Sequence, residues 1–222
     1  MSHIPEGTIT RETRNHIFLI GVHRASKMNS FTWDMLKELS RAFGEYEAND
    51  ELRCAVVHAT GEHFSSGLDL ADVAPHVSSG EHFIAQGDVD PWGVHGRLLS
   101  KPLVLAVQGI CYTLGTELSL AADVVVAASN TRFAQLEVKR GIFPFGGATI
   151  RFPRTAGWGN AMRYLLTGDE FRAEDAYRFG LVQEITEPGR QLDKAIEIAV
   201  RIAAQAPLAV KATIALARAA AH

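Results

Sequence analysis

Residues 101–128 read KPLVLAVQGICYTLGTELSLAADVVVAA. LVLAVQG (103–109) is an apolar run of strand length closed by a glycine. A turn follows, then a short apolar helix from about Gly115 to Ala121, then a second β-branched run, DVVVAAS (123–129). A strand, a helix and a further strand, all apolar, predict an α/β protein whose strands are buried on both faces.

The flanks extend the pattern. Ile17–Val22 and Cys54–Thr60 are two more strand candidates. Between them Phe31, Met35, Leu36, Leu39, Phe43 and Tyr46 recur at helical spacing, with Ser30 or Thr32 able to cap the start. FAQLEV (133–138) alternates like a strand. Helices are predicted at about 159–167, 173–179, 190–205 and 207–221, with Gly168 and Gly180 as stops and Pro207 in the first turn of the last. Residues 74–96 hold four glycines and two prolines with no sustained period, and read as a mobile loop or irregular lid. No internal repeat or low-complexity segment is present.

Composition narrows the function classes. With 22 Lys plus Arg against 25 Asp plus Glu, the net charge of the 222-residue chain is −3, which argues against a general nucleic-acid binder. No apolar stretch approaches the ~20 residues that span a bilayer. Cys54 and Cys111 lie in apolar segments without a CxxC pair, so reduced buried thiols in a cytoplasmic protein are expected. A chain of this length buries roughly 70% of its unfolded surface and needs no disulfide or metal staple.

Two glutamates stand out for chemistry. Glu117 lies in TLGTELSLAAD and Glu137 in FAQLEVKRG, 20 residues apart, each among residues that favour burial. A buried carboxylate is costly and its pKa rises, and two facing one cavity can divide into an acid and a base. The plainer alternative has Glu117 capping its helix and Glu137 paired with Lys139 or Arg140. FSSGLDL and the TLGTEL helix start could each aim backbone amides at an oxyanion, or be ordinary turns. A hydrolase triad from Ser65 or Ser66, Asp69 and a histidine has no fixed geometry, and Ser65 and Ser66 lack the glycines of a nucleophile elbow. No phosphate loop, dinucleotide fingerprint or metal-ligand spacing is found, and His58 and His63 read as structural or solvent-exposed.

Taken together, five segments in order resemble the crotonase superfamily, the enoyl-CoA hydratase/isomerase family. HRASKMNSF (23–31) is similar to the family's R-P-x-x-x-N-A turn. VVHATGEHFSSGLDL (56–70) is similar to its V-V-L-T-G-x-G-x-x-F-x-A-G-x-D-L segment. The 101–128 stretch is similar to its K-P…G-G-G-x-E-L…D segment. RFAQLEVKRGIFPFGGATIRFPR (132–154) is similar to F-x-x-P-E-x-x-x-G-x-x-P-x-x-G-G-x-x-x-L-x-R, and EFRAEDAYRFGLVQEI (170–185) to A-x-E-A-x-x-x-G-L-V-x-x-V.

The resemblance implies a crotonase fold, a ββα superhelix core over 1–188 followed at 189–222 by the start of a C-terminal helical trimerisation region. That region is expected to be incomplete, because the match stops in the alanine-rich helix ending at His222. It also implies acyl-CoA substrates and hydration of 2-enoyl-CoA to 3-hydroxyacyl-CoA. Δ3–Δ2 isomerisation and a non-catalytic CoA-binding scaffold are the alternatives. Carried over by position, Glu117 activates water, Glu137 delivers the proton, and the Leu68 and Leu114 amides hold the thioester oxygen. Backbone groups of Ser66, Leu68 and Leu70 match the adenine contacts, and Lys27 a phosphate contact. Phe143 and Phe145 stand where smaller residues are common and are expected to reshape the acyl pocket. No metal or redox cofactor is implied, coenzyme A being part of the substrate, and a homotrimer or dimer of trimers is expected. Three departures matter: Thr113-Leu114-Gly115 replaces a glycine triplet, Leu136 replaces the proline before Glu137, and Ser66 replaces an alanine.

Overall fold

The computed structural model describes residues 7–220. The outer ends of the two expected domains and of the last helix fall outside them. The strands are β1 (Thr8–Arg14), β2 (Ile17–His23), β3 (Cys54–Ala59), β4 (Leu103–Val107), β5 (Ile110–Tyr112), β6 (Val124–Ala128), β7 (Arg132–Ala134), β8 (Phe171–Arg172) and β9 (Glu184–Thr186). The helices are α1 (Trp33–Ala48), α2 (Leu70–Ser78), α3 (Leu114–Ala121), α4 (Ala148–Ala156), α5 (Trp158–Thr167), α6 (Ala173–Phe179), α7 (Gln191–Ala203) and α8 (Pro207–Ala220). The large sheet has the order β1-β2-β3-β4-β6-β9, and the small one β5-β7-β8. In the large sheet only the β1–β2 hairpin is antiparallel.

The chain repeats one move three times. A strand of the large sheet hands over to the small sheet and then to a helix: β4, β5, α3, then β6, β7 and, after a short helical turn, α4. In the first round β3 is followed by Ser65, which bridges Cys111, and then by α2. This is the ββα superhelix implied by the resemblance.

Period-two burial explains the apolar runs. One face of the large sheet (Phe18, Ile20, Ala55, Val57, Leu105, Val107) packs on Leu36, Leu39, Phe43 and Tyr46 of α1. The other (Ile17, Leu19, Cys54, Val56, Val104, Ala106) packs on Ala195, Ala199 and Ala203 of α7. An alanine every fourth residue keeps that helix close to the strands. Thr32 caps α1, its hydroxyl accepting from the Met35 N–H at 3.2 Å.

The region from 189 onward divides. α7 belongs to the sheet packing, whereas α8, bent 106° from it, has no fully buried side chain among its described residues. Arg218 tethers α8 to Asp123 at 3.0 Å and also donates to the Leu99 carbonyl. Among the described residues no single helix is long and apolar enough to cross a membrane.

Three expectations change. FAQLEV is not one strand: β7 stops at Ala134, and Glu137 opens a short 3-10 turn, Glu137–Arg140. Leu136, at φ −89° and ψ 0°, breaks the extended run. Residues 74–78 belong to α2, which continues through Pro75. Farther along, Asp90 organises the irregular stretch: its carboxylate accepts from the N–H groups of Trp92, Val94 and His95 at 2.7–2.9 Å.

Candidate active site

The loop before α2 presents the first amide. Leu68 forms a parallel bridge with Phe31. Phe31 N–H donates to the Gly67 carbonyl at 2.8 Å, and Asp69 N–H donates to the Phe31 carbonyl at 2.9 Å. Both bonds flank Leu68, so its own N–H is left out of the bridge and has no partner among the described residues. The loop is pinned from behind. The nearly buried Arg24 guanidinium meets Asp69 at 2.9 Å and also donates to the Ser30 carbonyl and hydroxyl. Asn29, fully buried, accepts from Arg24 N–H and donates to the Thr60 and His63 carbonyls.

The second amide opens α3. Thr113 N–H donates to the Ala134 carbonyl at 2.8 Å, and Leu114 is the first helical residue. Its N–H precedes any i−4 acceptor and has no partner among the described residues. Thr113 turns the chain at φ 50° and ψ −116°, a region natural to glycine and strained for a β-branched residue. Its hydroxyl stands where a Gly67 Cβ would be, 1.8 Å from that position, so the loop can pass only as glycine. Thr113→Gly is expected to raise stability by about 1 kcal/mol, the strain relief exceeding the entropy cost of glycine. A urea titration of the variant would measure this, and an unchanged or lower midpoint would contradict it.

One turn into α3, Glu117 is only 1% exposed. Its Oε1 accepts from Ala148 N–H, the start of α4, at 3.1 Å. A Cβ on Gly146 would lie 2.5 Å from the other oxygen, so this glycine admits the carboxylate. Burial pushes the Glu117 carboxyl up to about 7, while the Ala148 and Gly146 N–H groups and the Arg151 guanidinium pull it down. Arg151 reaches the Gly146 carbonyl at 3.4 Å and the Gly93 carbonyl at 3.3 Å, joining this turn to the irregular stretch.

Glu137 is 6% exposed. Burial pushes it too up to about 7; its own N–H pulls it down and the Glu117 charge pushes it further up. The buried Gln135 amide faces both Glu137 oxygens at 2.9 Å, and with its nitrogen on that side it donates to each. Neither glutamate forms an ion pair with Lys139 or Arg140 among the described residues.

Glu117, Glu137, Leu68, Leu114, Leu70 and Phe145 line one cavity of about 100 Å³, with Arg140 also on its wall. Leu68, Leu114 and Phe145 also line a second cavity of about 60 Å³, so the two cavities adjoin at these residues. Lys27 and Ser66 line neither; Lys27 is exposed, and Ser66 N–H is engaged by the Met28 carbonyl. Phe145 faces both cavities, but Phe143 is 68% exposed and faces neither. Sequence context does not mark Gln135 or Arg140 as site residues. The short polar alternation around Gln135 is the one available sign.

The hydrolase alternative loses its parts. Ser65 is fully buried, its hydroxyl donating to the Asn29 carbonyl and accepting from Gly67 N–H, and Asp69 is held by Arg24. A roomier cleft of about 270 Å³ includes Asp123, Arg151 and Arg218, but its Arg218–Asp123 pair is closed at 3.0 Å and the two glutamates lie elsewhere.

Residues with two unpartnered amides and two buried carboxyls line one small cavity, an arrangement whose chemistry suits proton transfer next to a developing oxyanion. The sequence matches the enoyl-CoA hydratase/isomerase family over residues 12–222, and the chain belongs to that family. It is 31% identical over 207 residues to enoyl-CoA hydratase EchA19 of Mycobacterium tuberculosis, covering 91% of this chain and 77% of that protein. It is 33% identical over 204 residues to the short-chain-enoyl-CoA hydratase of Clostridium acetobutylicum, covering 90% and 77%. The crystal structure of a probable enoyl-CoA hydratase/isomerase from Mycobacterium abscessus superposes with a TM-score of 0.93 at 54% identity, covering 95% of this chain and 82% of that one.

Proposed function

We propose that this protein hydrates 2-enoyl-CoA thioesters to 3-hydroxyacyl-CoA. The observation that carries the reading is the pair of buried glutamates, Glu117 and Glu137, lining the same cavity as Leu68 and Leu114, whose N–H groups have no partner among the described residues. The Leu68 and Leu114 N–H groups receive the thioester oxygen as charge moves onto it; one such donor is worth roughly 3–4 kcal/mol in known cases. Glu117 takes a proton from water as its oxygen bonds to C3. Backbone N–H groups and the start of α4 favour its ionised form, which suits a base. Glu137, whose protonated form is favoured by burial and by the neighbouring Glu117 charge, gives its proton to C2. The proton gained by Glu117 and the one lost by Glu137 then equilibrate with solvent, which restores the pair. The steps are proton transfer and C–O bond formation, with no electron transfer, and coenzyme A arrives as part of the substrate.

Several further readings rest on position. Backbone groups of Ser66, Leu68 and Leu70 contact the adenine end, and Lys27 and Arg140 supply positive charge for the CoA phosphates. The exposed Trp158, Leu166, Leu208 and Leu216 fit burial between copies of this chain in a trimer or hexamer. Light scattering after size-exclusion chromatography would read that mass. Cys54 and Cys111, both buried free thiols, suit a reducing cytoplasm.

Loss of the conjugated-thioester absorbance of crotonyl-CoA, with 3-hydroxybutanoyl-CoA recovered, tests the function. Conversion of a 3-enoyl thioester without hydration of the 2-enoyl one would instead mark an isomerase.

The site also carries a stability signature. The folded protein raises both carboxyls from an ordinary 4.5 to about 7. The stability linked to their protonated forms is full below pH ~4.5 and is lost as pH rises through about 7. Glu117→Gln removes one such loss. It is expected to stabilise the fold at pH 8 by on the order of 2–3 kcal/mol and to change little near pH 5. Urea midpoints at the two pH values measure this, and an equal effect at both would contradict it.

A further inference from the structure

We infer that the acyl pocket selects a planar, uncharged aryl group on C3, so that the favoured substrate pair is a 3-aryl-2-propenoyl thioester and its 3-aryl-3-hydroxy hydrate. The inference rests on the hydratase reading of the same site and adds the substrate class. Leu68 and Leu114 lie on both cavities. A thioester whose oxygen sits on their amides therefore has its reacting carbons by the carboxyls and its C3 substituent beside the second cavity.

That second cavity is walled by aromatic rings. Trp33 comes from α1, Phe83 and Trp92 from the stretch after α2, and Phe145 from the turn before α4. Phe83 meets Trp33 at 6.0 Å and 84°, and Trp92 at 6.0 Å and 87°. Trp92 meets Phe31 behind it at 6.0 Å and 90°. Successive rings at right angles present faces and edges together, the arrangement into which another flat ring packs best.

The walls are also fixed. Trp33 stacks on His76 at 4.7 Å and 4°, and Trp92 Nε1–H donates to the Leu114 carbonyl at 2.9 Å. About 60 Å³ is open to the centre of a water molecule, against roughly 10–15 Å³ for a single water. That suits a compact ring, whereas a long alkyl chain exceeds this volume and loses rotational freedom on entering.

Charged acyl ends are disfavoured. Asp90 also lines the cavity, its oxygens held by the Trp92, Val94 and His95 N–H groups, and no lysine or arginine is found among the described residues lining it. The Asp90 carboxylate opposes an acidic acyl end, His95 being the one other titratable side chain among the described residues lining the cavity.

The test runs in the dehydration direction, where the C3 hydroxyl and a C2 proton leave as water and conjugation with the ring favours product. The intact chain is given 3-hydroxy-3-phenylpropanoyl-CoA, 3-hydroxybutanoyl-CoA and 3-hydroxydecanoyl-CoA, and kcat/KM is compared. The phenyl substrate is expected to exceed the decanoyl one at least tenfold, and Phe83→Leu to reduce that ratio at least fivefold. Equal or better use of the decanoyl substrate, or a ratio unmoved by Phe83→Leu, overturns the inference. Calorimetric binding of the unreactive 3-phenylpropanoyl-CoA and decanoyl-CoA reads the pocket without turnover, with the same tenfold preference expected. If neither 3-hydroxybutanoyl-CoA nor the phenyl substrate is dehydrated, the hydratase reading fails, and the binding ratio still decides the pocket.

Discussion

Glu117→Gln is expected to lower kcat for crotonyl-CoA hydration by 10²–10⁴-fold, the usual effect of removing a positioned base or acid, and to leave KM within a few fold. Glutamine keeps the acceptor for Ala148 N–H, which Glu117 now meets at 3.1 Å, so the turn before α4 stays in place. What is lost is the ability to take a proton from water. Glu137→Gln is expected to lower kcat over the same range for the opposite reason, the loss of a proton to give. The wild-type pH profile should be a bell centred near 7, because both carboxyls titrate at about 7. Its acid limb reports protonation of the base, and its alkaline limb reports ionisation of the acid. A Glu117→Gln enzyme with more than a tenth of wild-type kcat would remove Glu117 from the chemistry.

Gly67→Ala is expected to have the next largest effect, on both stability and rate. At φ +99° an alanine is strained, and its Cβ would fall 1.8 Å from the Thr113 hydroxyl. A cost of roughly 2–4 kcal/mol follows from strain and overpacking together. The same shift moves the neighbouring Leu68 amide off the thioester oxygen, for a 10²–10³-fold loss in kcat. Thr113→Gly removes the colliding hydroxyl, so the double variant should recover part of the lost stability. A double-mutant cycle with an interaction near zero would show that the two residues do not meet in this way.

The sequence made the backbone frame readable to different depths. Runs such as LVLAVQG are buried on both faces and stand out, and Gly168 and Gly180 mark helix ends in the left-handed conformation. β1 carries no strand signal in the sequence because it is an edge strand: Ile9 is its one buried side chain, and the run after it, TRETR (10–14), is polar and exposed. α4 is hidden in the sequence by Pro153, which lies inside it.

At the site, spacing and resemblance pointed to Glu117, Glu137, Leu68 and Leu114, and the fold brings all four to one cavity. The direction of single side chains was less readable. Phe143 and Phe145 are two residues apart in one turn, yet only Phe145 faces the cavities. The turn's φ and ψ decide which one does, and these depend on Gly146 against Glu117 and Gly147 against Arg151. Gln135 depended on a contact two residues along a broken strand, which the alternating pattern disguised.

Hydration of crotonyl-CoA in deuterium oxide enriched in oxygen-18 follows the added oxygen and the added proton separately. The wild type is expected to form a 3-hydroxybutanoyl thioester carrying oxygen-18 at C3 and one deuterium at C2, both labels being lost together in Glu117→Gln and Glu137→Gln. Deuterium exchange or double-bond movement without oxygen-18 at C3 would contradict this.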